Sequence, residues 1–141
     1  MERLIITGNA NAEAPKRKGW FIGQFMDSSE PLRTTRDVEV KWGVHDAGEA
    51  RDTWSLNKSS TTLTILISGK ISHEFPSDTV LLRTPGDYVV WAPGVPHRWM
   101  ATEPSVSVSI RWPSIPHDTV ELTSPLRPER IQADPPPSND L

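Results

Sequence analysis

Few residues in this 141-residue chain could do chemistry, and they are scattered along it. The histidines are His45, His73, His97 and His117, and there is no cysteine. Thiol catalysis, disulfides and cysteine-ligated zinc are therefore excluded. An imidazole titrates near neutral pH, so His97 is a candidate catalytic acid or base. It stands just past the turn Pro93-Gly94 and opens an extended run. Proton transfer needs a second group. Tyr88, the one tyrosine, is a candidate acid, and no histidine–aspartate pair is visible to orient the base. A divalent metal needs about three protein ligands. A site rebuilt from His97, His73 and His45, with Glu49 and Glu74 in reserve, is one way to supply them. Lys41 shares a strand face with His45 and would repel a cation there.

Anion binding is a second chemistry. If Lys41, Arg51 or Arg111 points inward, the pocket would suit a carboxylate or phosphate, since arginine offers a bidentate fork. Trp54, Trp91 and Trp99 offer faces for a planar or sugar ligand.

These groups need elements to hold them. The run Arg36 to His45 alternates: Val38, Val40, Trp42 and Val44 against Asp37, Glu39, Lys41, Gly43 and His45. Ser105 to Trp112 alternates as cleanly, with Val106, Val108, Ile110 and Trp112 opposite Ser105, Ser107, Ser109 and Arg111. Period two predicts half-buried strands whose apolar faces fill the core. Thr61 to Ser68 is β-branched almost throughout and predicts a central strand. Shorter strands are expected at Leu4 to Thr7, Trp20 to Met26, Thr53 to Leu56, Ile71 to Phe75, Thr79 to Arg83, Tyr88 to Trp91 and Arg98 to Ala101. Turns fall every eight to twelve residues and no convincing helix appears, which predicts an all-β sandwich or closed barrel. Residues 113–141 hold seven prolines and cannot build a core.

Length predicts one domain. The net charge of −3 gives no footprint for nucleic acid. The N-terminal apolar run, Leu4 to Ile6, is too short for a signal-peptide core, and no window is long enough to span a bilayer. A cytoplasmic protein is expected.

The stretch Gly86-Asp87-Tyr88-Val89-Val90-Trp91-Ala92-Pro93-Gly94-Val95-Pro96-His97 resembles the second conserved motif of the cupin superfamily. That motif runs glycine, aspartate, an apolar strand, proline, any residue, glycine, two residues, histidine; Ala92 stands where many members have a first proline. The first motif closes well at Gly69, but counting back puts Thr62 at the glutamate position. The histidine-any-histidine pair would fall near Ser55 to Lys58, where there is no histidine. Of the four usual ligands only His97 survives. Gly19-Trp20-Phe21-Ile22-Gly23, Val40-Lys41-Trp42-Gly43-Val44-His45 and Arg111-Trp112-Pro113-Ser114 are similar to a group of uncharacterised small bacterial cupins. Some of these are labelled signal peptidases, but no membrane anchor and no serine–lysine pair supports that label here.

The resemblance implies a single-domain jelly-roll β-barrel, with an N-terminal arm (1–19), a barrel (20–113) and a proline-rich tail (114–141). It implies a small-molecule ligand and a homodimer. Its motif positions place Trp54, Thr62, Thr64, His97 and Trp99, together with Arg111, as ligand-binding residues. The expected site is degenerate and metal-free, with one divalent ion on His97, His73 and His45 as the alternative. Function is then either binding of a small polar or anionic metabolite, or catalysis. A catalytic version would be a metal-dependent dioxygenase or isomerase, or a metal-free isomerase using His97.

Overall fold

The computed structural model describes residues 4–123. Its strands are β1 (Trp20–Ile22), β2 (Glu39–His45), β3 (Ala50–Asn57), β4 (Thr61–Ser68), β5 (Ile71–Glu74), β6 (Thr79–Leu82), β7 (Tyr88–Trp91), β8 (His97–Ala101), β9 (Ser105–Trp112) and β10 (Thr119–Glu121). They form two five-stranded antiparallel sheets, ordered β1-β2-β9-β4-β7 and β10-β3-β8-β5-β6. The two sheets curl over one another as a jelly roll, so the expected all-β architecture is the one observed.

Gly69 makes the turn from β4 to β5 at φ +90, and an added Cβ would meet the carbonyl oxygen of Pro104. Only glycine takes that conformation without cost. At the other end of the motif region, Asp87 accepts from the backbone N–H groups of Arg83 and Thr84 at 3.1 and 3.0 Å, fixing the turn into β7.

The two alternating strands run inside-out relative to expectation. Register pairs Lys41 with Ser109 and Glu39 with Arg111 on one face, and Trp42 with Val108 and Val40 with Ile110 on the other. The polar set faces inward and the apolar set outward, where Val44 and Trp112 are exposed. Period two is the same whichever face turns in, so the direction had to come from what fills the barrel. A compact apolar core of Leu66, Ile71, Leu82 and Ala101, with Val80, Val89 and Trp99 packed on it, occupies only part of the interior. Leu66→Ala there would cost roughly 2–5 kcal/mol. The remaining interior is polar.

Three other expectations change. Leu4 to Thr7 is not a strand. The chain forms instead a short helix, α1 (Ala10–Glu13), and a 3-10 turn, Ala14–Lys16. Asn9 caps α1 by accepting from the Ala12 N–H at 2.9 Å. Asn11 accepts from the indole of Trp42, and Glu13 pairs with Arg33, so this arm lies on the barrel. The strand from Trp20 ends at Ile22. And the chain does not leave the barrel at residue 114. Ser114 and Asp118 are buried, Asp118 accepts from the backbone of Ser59 and Ser60, and β10 pairs with β3. Proline spacing hid this short strand. The rest of the expected tail, 124–141, lies outside the described residues.

Candidate functional site

The polar interior encloses a cavity of about 260 Å³ between the sheets. Its cations come from three strands: Lys41 on β2, Arg51 on β3 and Arg111 on β9, with Lys18 also on the lining. Trp20 on β1 is a platform for two of them. The Arg111 guanidinium lies 4.8 Å from its ring centroid and the Lys41 ammonium 5.7 Å. Such contacts stabilise a cation by roughly 0.5–2 kcal/mol.

Burial, reinforced by Arg111 and then Arg51, holds the Lys41 pKa down at about 8. Arg111 is lowered by burial and raised by Glu39. Arg111 Nη1 donates to Glu39 Oε2 at 3.3 Å, and Ser114 Oγ donates to Glu39 Oε1 at 2.7 Å. Arg51 Nη1 donates to Ser55 Oγ at 3.2 Å. Of these three cations Arg111 is paired with a carboxylate, Glu39, while Arg51 bonds a hydroxyl. The nearby Glu49 carboxylate bonds His45.

Three histidines line the same cavity. His97 Nδ1 donates to the carbonyl oxygen of Val95 at 3.0 Å. In the neutral ring that leaves the lone pair on Nε2. Burial pushes its pKa to about 4, with Arg111 and Arg51 adding to the effect, so His97 is neutral at pH 7. His73 is pushed to about 4 by burial, then by His97 and His45. His45 is lowered by burial against the hydrogen bond it donates to Glu49, and its ring lies 4.4 Å from Trp99. Trp91 sits between His97 and His73, at 4.8 and 5.6 Å. Thr64 shares a 2.9 Å hydrogen bond with Ser109.

Of the residues expected from sequence, Thr62, Thr64, His97, Trp99 and Arg111 line this one cavity, with His45 and His73. Trp54 is elsewhere: Arg98 stacks on it at 4.5 Å, beside the Arg98–Glu74 ion pair. Tyr88 is exposed on the outer face of β7, away from the cavity. His117 lies in the loop before β10. Trp20, Lys18, Ser107 and Ser109 line the cavity and were not singled out. The serine-any-serine alternation opposite a valine series was the available signal.

The donors do not fit the metal that the resemblance implies. Thr62 occupies the glutamate position and carries a hydroxyl. Ser55 and Asn57, buried where the histidine pair would fall, offer a hydroxyl and an amide. Ser55 Oγ is already bonded to the cationic Arg51. Among the described residues no group of three or more His, Asp or Glu side chains converges on a point.

Comparison with solved structures places the architecture. A cupin protein from Bacteroides fragilis superposes with a TM-score of 0.53 over 60% of this chain and 72% of its own, at 19% identity. The fold is that of the cupins. A protein with a double-stranded β-helix domain from Klebsiella pneumoniae aligns at TM-score 0.55 and 20% identity, covering 64% of this chain and 78% of that chain. The nucleoside dehydratase Pac13 aligns at TM-score 0.55 and 14% identity, covering 63% and 71%. No protein-family model and no curated protein matches the sequence. No helix among the described residues of this cupin barrel is long and apolar enough to cross a membrane.

Proposed function

We propose that this cupin barrel binds a small anionic metabolite in its interior without a metal ion. The observation that carries the reading is that Lys41, Arg51 and Arg111 line one cavity, where the carboxylate of Glu39 pairs with Arg111. Like charges held close repel, and a bound anion relieves that repulsion. The test is thermal-shift and calorimetric titration with phosphate, with carboxylates and with a neutral sugar. Only the anions should stabilise the protein, and Arg111→Gln should weaken them at least tenfold. Stabilisation by the neutral sugar alone would refute the reading.

A catalytic role is favoured by one feature. His97 keeps its Nδ1 proton on Val95 and presents an unprotonated Nε2, the arrangement of a general base. A bound anion would be a substrate if a carbon acid or hydroxyl of it reached that nitrogen. The existence of a nucleoside dehydratase among barrels of this fold supports catalysis as a capability of the architecture. Proton exchange into bound ligand, followed by NMR in heavy water and lost in His97→Gln, is the measurement.

The partner proposed for the outer face is a second copy of the chain. The outward side chains of β2, β9, β4 and β7 include no charged residue, and Val44, Ile67, Tyr88, Val90 and Trp112 are exposed. Five strands averaging about six residues give a flat footprint of roughly 500 Å² before side-chain relief. That approaches the share of about 800 Å² that each partner contributes to a stable interface. An uncharged sheet face is self-complementary, as a two-fold interface requires. Residues 124–141 are a poor cover for it, with five charges and only Leu126, Ile131 and Leu141 as large apolar groups. A cytoplasmic location, in keeping with the lack of cysteine, belongs to the same reading.

A further inference from the structure

The cavity lining carries polar groups that the anion reading leaves unused. Besides Arg111 Nε, four buried polar atoms of the lining residues have no hydrogen-bond partner among protein groups: both ring nitrogens of His73, Nε1 of Trp91 and Oγ1 of Thr62, the last on the register partner of Arg111. They form one cluster. Thr62 and Trp91 are register partners across β4 and β7, and His73 reaches Trp91 from the opposite sheet, ring to ring at 5.6 Å. Each such atom left unpaired is costly. Four together at the wall of a cavity are a demand for specific ligand atoms.

The demand has a definite chemistry. The indole N–H of Trp91 needs an acceptor. A neutral His73 needs an acceptor for one nitrogen and a donor for the other. The Thr62 hydroxyl can do either. A carboxylate only accepts and an ammonium only donates, and neither satisfies His73. Aliphatic or aromatic carbon does neither. A hydroxyl group both donates and accepts, and adjacent hydroxyls would serve all four atoms.

Joined to the cationic pole, this names a ligand. Resting on the reading of the cavity as an anion site, we propose that the ligand is a polyhydroxylated acid of monosaccharide size. Its single anionic head is held by Lys41, Arg51 and Arg111, and its hydroxyls by His73, Trp91 and Thr62. The cavity volume of about 260 Å³ equals that of roughly nine waters. That suits a sugar acid or a sugar monophosphate. The two heads share one chemistry, an anion on a polyol.

Calorimetric titration of the full chain with gluconate, glucose 6-phosphate, hexanoate, inorganic phosphate and glucose tests this. Gluconate and hexanoate have equal carbon chains and differ in hydroxyls. The expected result is at least tenfold tighter binding of gluconate than hexanoate, or of glucose 6-phosphate than phosphate, and no measurable binding of glucose. Which pair shows the gain tells carboxylate from phosphate. Thr62→Val and His73→Phe, each made singly, should remove that gain. Equal binding of gluconate and hexanoate, and of glucose 6-phosphate and phosphate, overturns the polyol inference while the anion site stands. Failure of every anion to bind overturns both. The comparison within the unmodified protein decides the matter even if a variant fails to fold.

Discussion

Arg111 gives Nη1 to Glu39 at 3.3 Å and keeps Nε buried without a protein partner. Glu39 is fixed in turn by Ser114, a residue from beyond the last long strand. The guanidinium is therefore anchored through Nη1, and Nε keeps an unmet hydrogen-bonding demand. Glu39→Gln keeps the shape and removes the counter-charge. Breaking a buried pair costs about 3–5 kcal/mol, and the partial exposure of Arg111 reduces that to roughly 2–3. Urea denaturation should show the loss, and added phosphate should recover part of it. An unchanged midpoint would mean that Glu39 does not hold Arg111.

Lys41 gives the anion site a pH dependence. Its folded pKa, about 8, lies below the ordinary value of 10.5, first through burial and then through Arg111 and Arg51. Glu49 acts in the opposite sense and Lys18 in the same sense. A bound anion favours the ammonium and raises that pKa. Above pH 8 binding must therefore take up a proton, and affinity should fall as pH rises, by up to tenfold per unit. Titrations at pH 8.5 in buffers of different ionisation enthalpy measure the uptake directly. Lys41→Met should abolish it. A flat profile between pH 7 and 9 in the unmodified protein would contradict the placement of Lys41 at the anion.

The histidines set the acid limit. His73 and His97 titrate at about 4 when folded, against an ordinary 6.5, chiefly because burial penalises the charged ring. Between those values the unfolded chain binds protons that the folded chain does not. Stability is thus full above about pH 6.5 and falls as pH drops toward 4, with no further loss from these groups below that. Each taken alone accounts for on the order of 3 kcal/mol. Urea midpoints at pH 7, 6 and 5 should decline, less steeply in His73→Phe.

The legible part of the fold was the strand pattern. Alternation at 36–45 and 105–112 marked two strands that pair with each other, and Gly69 marked the turn between the sheets. Alternation carries no arrow, however. A barrel filled by hydrocarbon and a barrel around a polar cavity show the same period, and here Lys41, Ser107, Ser109 and Arg111 turn inward. The motif positions led to Thr62, Thr64, His97 and Trp99 because backbone spacing fixes which strand residues share a wall. Trp54 was misplaced because a register shift between Arg51 and Ser55 breaks the alternation along β3. β10 was hidden because three residues among prolines carry no period.

The outer face makes its own prediction. Val108 lies mid-strand on β9, between Trp42 and Ile65. Light scattering at micromolar concentration should return the mass of a dimer for the full chain and of a monomer for Val108→Glu, with phosphate affinity unchanged. A monomeric unmodified protein would remove the second copy as the partner of this face.

The claim on which the rest depends is that cations, and no coordinated ion, define the cavity. Titration calorimetry of gluconate and phosphate into chelator-treated protein tests it most directly. The account predicts one site per chain that weakens as salt is raised. It should be lost in Arg111→Gln and retained in Trp54→Leu. No anion binding, together with a stoichiometric divalent metal in protein purified without chelator that disappears in His97→Ala, would contradict it.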